Sequence, residues 1–220
     1  MTARTRVLIV DDHQVFSEAL ARSLAEEPDL RIVGTASRSA EALEIAIDHS
    51  PDVAIVDHRL SDGDGVVLAR ALRERVPAIA VVMLTAAADD GVLAAALDAG
   101  CVGFVTKDQP LAEVLIAVRA AAAGEAVIAP AMLTRLIDRM RGTGARRVGR
   151  NPELTSREHE ILQLVAAGLP NPQIAARLHV SLHTVRNHVA AILRKLEAHT
   201  KLEAVAIAAR RGLIAGRDGG

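Results

Sequence analysis

Cysteine is nearly absent from the 220-residue chain: Cys101 stands alone. No internal disulfide can form, and the natural reading is a protein of a reducing cytoplasm. A lone free cysteine behaves mostly as a small buried hydrophobe, so Cys101 is read as packed rather than nucleophilic. Long hydrophobic runs are missing too. No apolar stretch reaches the roughly 18 residues that a membrane-spanning helix needs. The first apolar run, residues 7–10, stops after four residues at Asp11 and Asp12, too short for the apolar region of a secretory signal. No segment repeats at a fixed period.

Net charge is also small, at −1, but it is unevenly spread. Residues 1–145 hold 14 Lys and Arg against 21 Asp and Glu; residues 146–220 hold 12 against 6. An acidic front and a basic back imply two modules with different partners, the basic one suited to a polyanion. The length accommodates one or two domains, and half of the residues are hydrophobic, enough for a sizeable core.

The front half alternates between two patterns. Strands are expected at residues 7–10, 31–36, 53–56, 79–84 and 102–105, as short continuous aliphatic runs. Helices are expected at 15–25, 40–47, 65–75, 89–98 and 110–123, the last with Pro110 at its start and Gly124 just past its end. Five such pairs specify a parallel sheet covered on both faces. A further short helix is expected at 132–140. Residues 141–150 (RGTGARRVGR) carry three glycines and four arginines and read as an exposed linker. Beyond it four helices fit, at about 156–167, 172–178, 182–196 and 200–211.

In an open parallel sheet, reactive groups gather beyond the carboxyl ends of the strands. Asp11 and Asp12 follow the first strand here, Asp57 ends the third, Thr85 the fourth, and Lys107 follows the fifth. Three clustered carboxylates repel one another and favour a divalent cation; oxygen ligands with room for water suit Mg2+. With that charge neutralised, a carboxylate can act as a nucleophile toward a phosphoryl group. A lysine and a threonine hydroxyl can then hold the phosphoryl oxygens. A calcium loop at residues 57–65 fails, because Gly65 in its sixth position would put Leu60 and Ala71 where acidic ligands are required.

These residues, at their spacing, resemble the receiver domain of response regulators over about residues 5–124, with Asp64-Gly65 and Phe104 also in place. The resemblance implies a flavodoxin-like, doubly wound α/β fold. It implies that Asp57 is the phosphoacceptor and that Asp11, Asp12, Asp57 and the backbone carbonyl of Arg59 bind Mg2+. Lys107 would pair with the phosphoryl oxygens, and Thr85 and Phe104 would rearrange after phosphorylation. One departure is Ser61, where many receivers have proline. Haloacid-dehalogenase-type phosphatases share the Asp nucleophile but need a second Asp where Arg59 stands, so an enzyme is not expected. A regulator whose receiver no longer accepts phosphate stays open as an alternative.

The basic back half has its own signals. Thr155 and Glu158 form a capping box, and Gly168 closes that helix. Asn171 and Pro172 read as an N-cap and the first helical residue, and Ser181 as the next cap. Val185, Val189, Ile192, Leu193 and Leu196 line an inner stripe. His183, Thr184, Arg186, Asn187, His188, Arg194 and Lys195 lie outside it. Arg and Asn are suited to base edges, and Arg and Lys to phosphates. The layout is that of a helix-turn-helix.

The stretches LTSREHEILQLVAAGLPNPQIAARL and VSLHTVRNHVAAILRKL resemble the LuxR-type DNA-binding domain of NarL/FixJ-type regulators. By that likeness Arg186 and Asn187 read bases, and Thr184, His188 and Lys195 contact phosphate. Ala190 replaces a basic residue often found there. The last helix, with Ala204, Val205 and Ala208, resembles the family's dimer-forming helix. The expected organisation is a receiver at 1–124, a linker at 125–152 and an all-α DNA-binding domain at 153–216. The partners implied are double-stranded DNA, a sensor histidine kinase and a second copy of the chain, with RNA polymerase as a further contact and no membrane.

Overall fold

The computed structural model describes residues 4–86, 89–126, 128 and 154–214. The helix expected at 132–140 and the stretch 141–150 lie outside them. The chain divides into two compact units, Met1–Val127 and Ile128–Gly220.

The first unit runs β1 (Thr5–Val10), α1 (Gln14–Ala25), β2 (Leu30–Ala36), α2 (Ser39–His49), β3 (Val53–Asp57), β4 (Arg59–Leu60), β5 (Gly63–Asp64), α3 (Gly65–Arg75), β6 (Ala80–Thr85), α4 (Asp90–Asp98), β7 (Gly103–Thr106) and α5 (Leu111–Ala122). The main sheet has five parallel strands in the order β2-β1-β3-β6-β7. Its strands read as unbroken aliphatic runs because both faces are covered. Alternate residues of β1, β3 and β6, namely Val7, Ile9, Val53, Ile55, Val82 and Leu84, share one buried cluster with α1 and α5. Residues of the other parity, such as Leu8, Ala54 and Met83, are also fully buried. The chain leaves β1 toward β2 on one side and returns to β3 on the other. The strand order therefore reverses between β1 and β3, where a crevice opens beyond the strand ends.

One feature of this unit was absent from the sequence reading. Between β3 and α3 the chain makes a two-stranded antiparallel ribbon, with Arg59 opposite Asp64 and Leu60 opposite Gly63. Two-residue strands are too short to show alternation. The ribbon closes against the sheet: Gly65 donates its N–H to the His58 carbonyl at 2.8 Å. Asp64 caps α3, its carboxylate accepting from the Val66 N–H at 2.7 Å.

The second unit has α6 (Ser156–Ala166), α7 (Asn171–Leu178), α8 (Leu182–Leu196) and α9 (Lys201–Arg210). The Thr155–Glu158 capping box is formed. Gly168 has a positive φ of 80° at the turn out of α6. Ser181 caps α8 by accepting from the Thr184 N–H at 3.0 Å. The role expected of Asn171 is corrected. Pro170 holds the N-cap position, and Asn171 is the first helical residue. The Asn171 side chain is buried, and its Oδ1 accepts from Lys201 Nζ at 3.0 Å. A buried ammonium arriving from α9, 30 positions along the chain, outcompetes the local backbone for that amide oxygen.

Candidate functional site

Asp11 and Asp57 stand at the carboxyl ends of the adjacent strands β1 and β3, where the strand order reverses. Both are almost wholly buried, at 1 % and 3 % exposure. Isolated buried carboxylates are costly, so the pocket needs positive charge. Lys107 supplies it from the turn after β7. Its Nζ donates to Asp57 Oδ2 at 2.7 Å. It also forms an ion pair with Asp11 Oδ2 at 2.7 Å, off the line of a good hydrogen bond. Burial pulls the Lys107 pKa down, but its contacts with Asp11 and Asp57 outweigh burial and hold it above the usual lysine value. The stem of Lys107 is anchored as well. Its backbone N–H donates to the Thr85 carbonyl at 2.7 Å, and its ammonium lies 5.0 Å from the centre of the Phe16 ring, within cation–π reach.

Asp12 completes the acidic set. Its side chain is 23 % exposed and borders a cleft of about 470 Å³ that is also lined by Asp11, Arg38, Glu41 and Ser61. Asp11 Oδ2 and Asp12 Oδ1 are both buried, the first against the Lys107 ammonium and the second 3.0 Å from His13 Nδ1. Clustered buried carboxylate oxygens are what a cation site presents. One side-chain atom from each of Asp11, Asp12, His13 and Asp57 falls within a 4.8 Å span. These residues fit a divalent metal.

The remaining expected residues are placed as follows. The backbone N–H of Arg59 donates to Asp57 Oδ1 at 3.3 Å, so the residue lies beside the pocket. Thr85 ends β6, buried, one residue beyond the Leu84 that pairs in register with Asp57. Phe104 is buried in β7, paired in register with Met83. Sequence reasoning passed over His13. Its Nδ1 lies 3.0 Å from Asp12 Oδ1 and 3.2 Å from Asp11 Oδ1. Its position directly after Asp11-Asp12 was the available signal.

In the second unit, α8 buries Val185, Val189, Ile192 and Leu196 and exposes Arg186, Asn187 and Ala190. Thr184 and His188 are half-buried, and Thr184 shares a 2.8 Å hydroxyl–hydroxyl hydrogen bond with Ser181. Lys195 is placed differently from the other expected DNA contacts. Its Nζ donates to Glu158 Oε2 at 2.7 Å. That carboxylate is buried and also accepts from the Thr155 N–H at 2.7 Å. Burial pushes the Glu158 pKa up, but Lys195 and Thr155 outweigh it and hold it below the usual glutamate value. The ammonium of Lys195 thus clamps the end of α8 to the start of α6. On α9, Ala204, Val205 and Ala208 are buried.

Comparison with known proteins agrees with this arrangement. Residues 7–119 match the response regulator receiver domain, and residues 152–208 match the bacterial regulatory proteins of the luxR family. The response regulator protein VraR of Staphylococcus aureus is 34 % identical over 209 residues, covering 95 % of this chain and 98 % of VraR. The crystal structure of ChrA, a response regulator of a heme-sensing two-component system, aligns over 97 % of this chain and all of ChrA, with 31 % identity and a TM-score of 0.52. The signal receiver domain of the response regulator NarL from Mycobacterium tuberculosis aligns over 56 % of this chain and all of that domain, with 34 % identity and a TM-score of 0.54. With a strand-end acidic pocket in one unit and an exposed Arg-Asn pair on a helix-turn-helix in the other, the chain belongs to the response regulators of the NarL/FixJ type, a receiver domain followed by a LuxR-type DNA-binding domain.

Proposed function

We propose that this protein is a phosphorylation-controlled transcriptional regulator of a two-component system, and that Asp57 is its phosphoacceptor. The observation that carries the reading is the placement of Lys107 Nζ, 2.7 Å from both Asp57 Oδ2 and Asp11 Oδ2. Asp57 is buried and paired with a cation that can follow the charge onto a phosphoryl group. Asp11, Asp12, Asp57 and the Arg59 carbonyl would hold Mg2+, which would supply the charge neutralisation that an anionic donor needs to approach.

A carboxylate oxygen of Asp57 forms the new bond to phosphorus. The bond from phosphorus to the donor breaks, and the leaving group is the imidazole of a sensor histidine kinase or the conjugate base of a small phosphodonor. Lys107 then pairs with the phosphoryl oxygens, and the Thr85 hydroxyl donates to another of them. Phe104 moves with Thr85 and repacks the face formed by α4, β7 and α5, biasing a two-state equilibrium. Functional domains at 1–124 and 153–216, joined by 125–152, place this switch and the DNA reader on one chain.

The DNA partner is a duplex, read by α8. Arg186 and Asn187 are exposed and chemically suited to guanine and adenine edges, with Thr184 and His188 beside them for phosphate. A homodimer presents two such helices to half-sites about one helical turn apart. RNA polymerase is the further partner at a promoter. No described helix is long and apolar enough to cross a membrane. With a lone buried cysteine, that supports action in the cytoplasm.

The test is covalent labelling by a small phosphodonor in Mg2+, read by intact mass. One phosphoryl group is expected on the wild-type chain and none on Asp57→Asn. Label persisting on Asp57→Asn moves the acceptor elsewhere. Selection of bound DNA from a random pool, with and without donor, tests the coupling between the two modules.

A further inference from the structure

We propose that Asp62 is a positioning residue for phosphoryl transfer: its carboxylate ties the tip of the β4–β5 ribbon to the start of α2 and so holds the ribbon against the Asp57 carboxylate. The proposal rests on the reading of Asp57 as the phosphoacceptor. It assigns a task to a side chain that stands outside the acidic group.

The ribbon is poorly equipped to hold itself. Leu60 pairs with Gly63, so Ser61 and Asp62 alone make the turn. Two-residue hairpin turns match the twist of their strands when their central residues take positive φ; other turns splay the strands. Neither Ser61 nor Asp62 has a positive φ. An isolated two-stranded hairpin is marginal even when its strands are long, and here each strand has two residues. Packing does not help the tip. Ser61, Asp62 and Gly63 are exposed, and a Cβ built on Gly63 meets nothing within 4 Å.

Asp62 supplies the missing anchor. Its Oδ2 accepts from the Ser39 N–H at 2.8 Å, and its Oδ1 accepts from the Ser39 hydroxyl at 3.2 Å. Ser39 is the first residue of α2, where a backbone N–H has no partner inside the helix. The adjoining N-cap residue, Arg38, makes no side-chain cap bond. A carboxylate at that end is also favoured by the helix dipole. The side-chain cap that Arg38 does not provide thus comes from the ribbon, 23 positions along the chain.

The other end of the ribbon touches the reacting group. The Arg59 N–H donates to Asp57 Oδ1 at 3.3 Å, at the long end for such a bond. Lys107 holds Oδ2 at 2.7 Å. The two contacts together set the rotation of the Asp57 carboxylate. A bond already that long is lost with a small outward swing of the ribbon, and a misplacement of about 1 Å can slow a reaction by about a hundredfold. Past the ribbon, Gly65 is pinned to the His58 carbonyl, so the tip is the end that needs tying.

The experiment follows labelling of the full chain by acetyl phosphate in Mg2+, with intact mass read over time. Asp62→Ala is expected to slow labelling about three- to tenfold. Asp62→Asn keeps an oxygen that accepts from the Ser39 N–H and is expected to label within about twofold of wild type. The deciding variant adds Ser61→Pro to Asp62→Ala. Proline is favoured at this turn position and asks for extended backbone at Leu60, which already lies in a strand, so it stiffens the tip without touching α2. The double variant is expected to recover to within about twofold of wild type. A wild-type rate in Asp62→Ala, or a slow rate that Ser61→Pro leaves unchanged, overturns the assignment of Asp62 and leaves Asp57 standing. A wild-type chain that takes no label overturns the reading of Asp57 as the acceptor.

Discussion

Gly65→Ala tests how tightly the phosphoacceptor strand is locked to the helix that follows. A Cβ built on Gly65 would lie 1.9 Å from the Asp57 carbonyl oxygen, 2.9 Å from the Asp57 carbonyl carbon and 3.1 Å from the His58 Cα. All three are backbone atoms, so no side chain can swing aside. Relief requires moving the peptide that carries Asp57 or breaking the 2.8 Å bond from the Gly65 N–H to the His58 carbonyl. Two effects oppose this cost: alanine favours helix by about 1 kcal/mol over glycine, and it restricts the unfolded chain. A methyl driven this far into backbone exceeds both, and a net loss of about 2–4 kcal/mol is expected for the receiver unit. Gly63→Ala is the matched control, since a Cβ there meets nothing within 4 Å. Urea unfolding followed by far-ultraviolet circular dichroism suits a chain without Trp or Tyr. Phosphodonor labelling should fall with stability in Gly65→Ala, because the displaced peptide carries the Asp57 carboxylate away from Lys107. If Gly65→Ala unfolds at the same urea concentration as Gly63→Ala, the close approach does not exist and the locking argument fails.

Arg186→Ala should lose about 1–3 kcal/mol of discrimination between selected and scrambled operators, as for one bidentate base contact; equal losses on both sequences would make it a phosphate contact. Lys195→Ala should weaken binding to every sequence and flatten its salt dependence if the ammonium reaches phosphate. The same change should destabilise the second unit, because it strands the buried Glu158. In the intact protein the depressed Glu158 pKa contributes stability that is complete above the ordinary value of 4.5 and is lost as pH falls below it. Thermal melts of the second unit should therefore drop more steeply between pH 5 and about pH 3 in wild type than in Lys195→Ala; parallel curves would refute the clamp.

What was legible in the sequence is what local pattern encodes. The aliphatic runs ending on Asp57 and Thr85 gave both the sheet and the edge to which those side chains come. Thr155 and Ser181 cap helices as their spacing requires. At Asn171 and Lys195 the cause of the difference is a contact between residues far apart in the chain. Asn171 looks like a cap until Lys201 is seen to need its amide oxygen. Lys195 reads as a phosphate contact, and its bond to Glu158, 37 positions earlier, has no local signature. The β4–β5 ribbon escaped because two-residue strands carry no period. His13 follows Asp11-Asp12 directly in the sequence, but the folded turn is what brings its ring beside their carboxylates.

The anchoring of Lys107 has a mechanical consequence. Its ammonium grips the acidic pocket, and its main chain is pinned to the last residue of β6. The side chain is therefore a strut between the seat of chemistry and the rim of the sheet. Any new anion that draws the ammonium by a fraction of an ångström tugs on the stretch where Thr85 sits. The earliest motion after modification should then begin at that rim, before any distant helix has shifted.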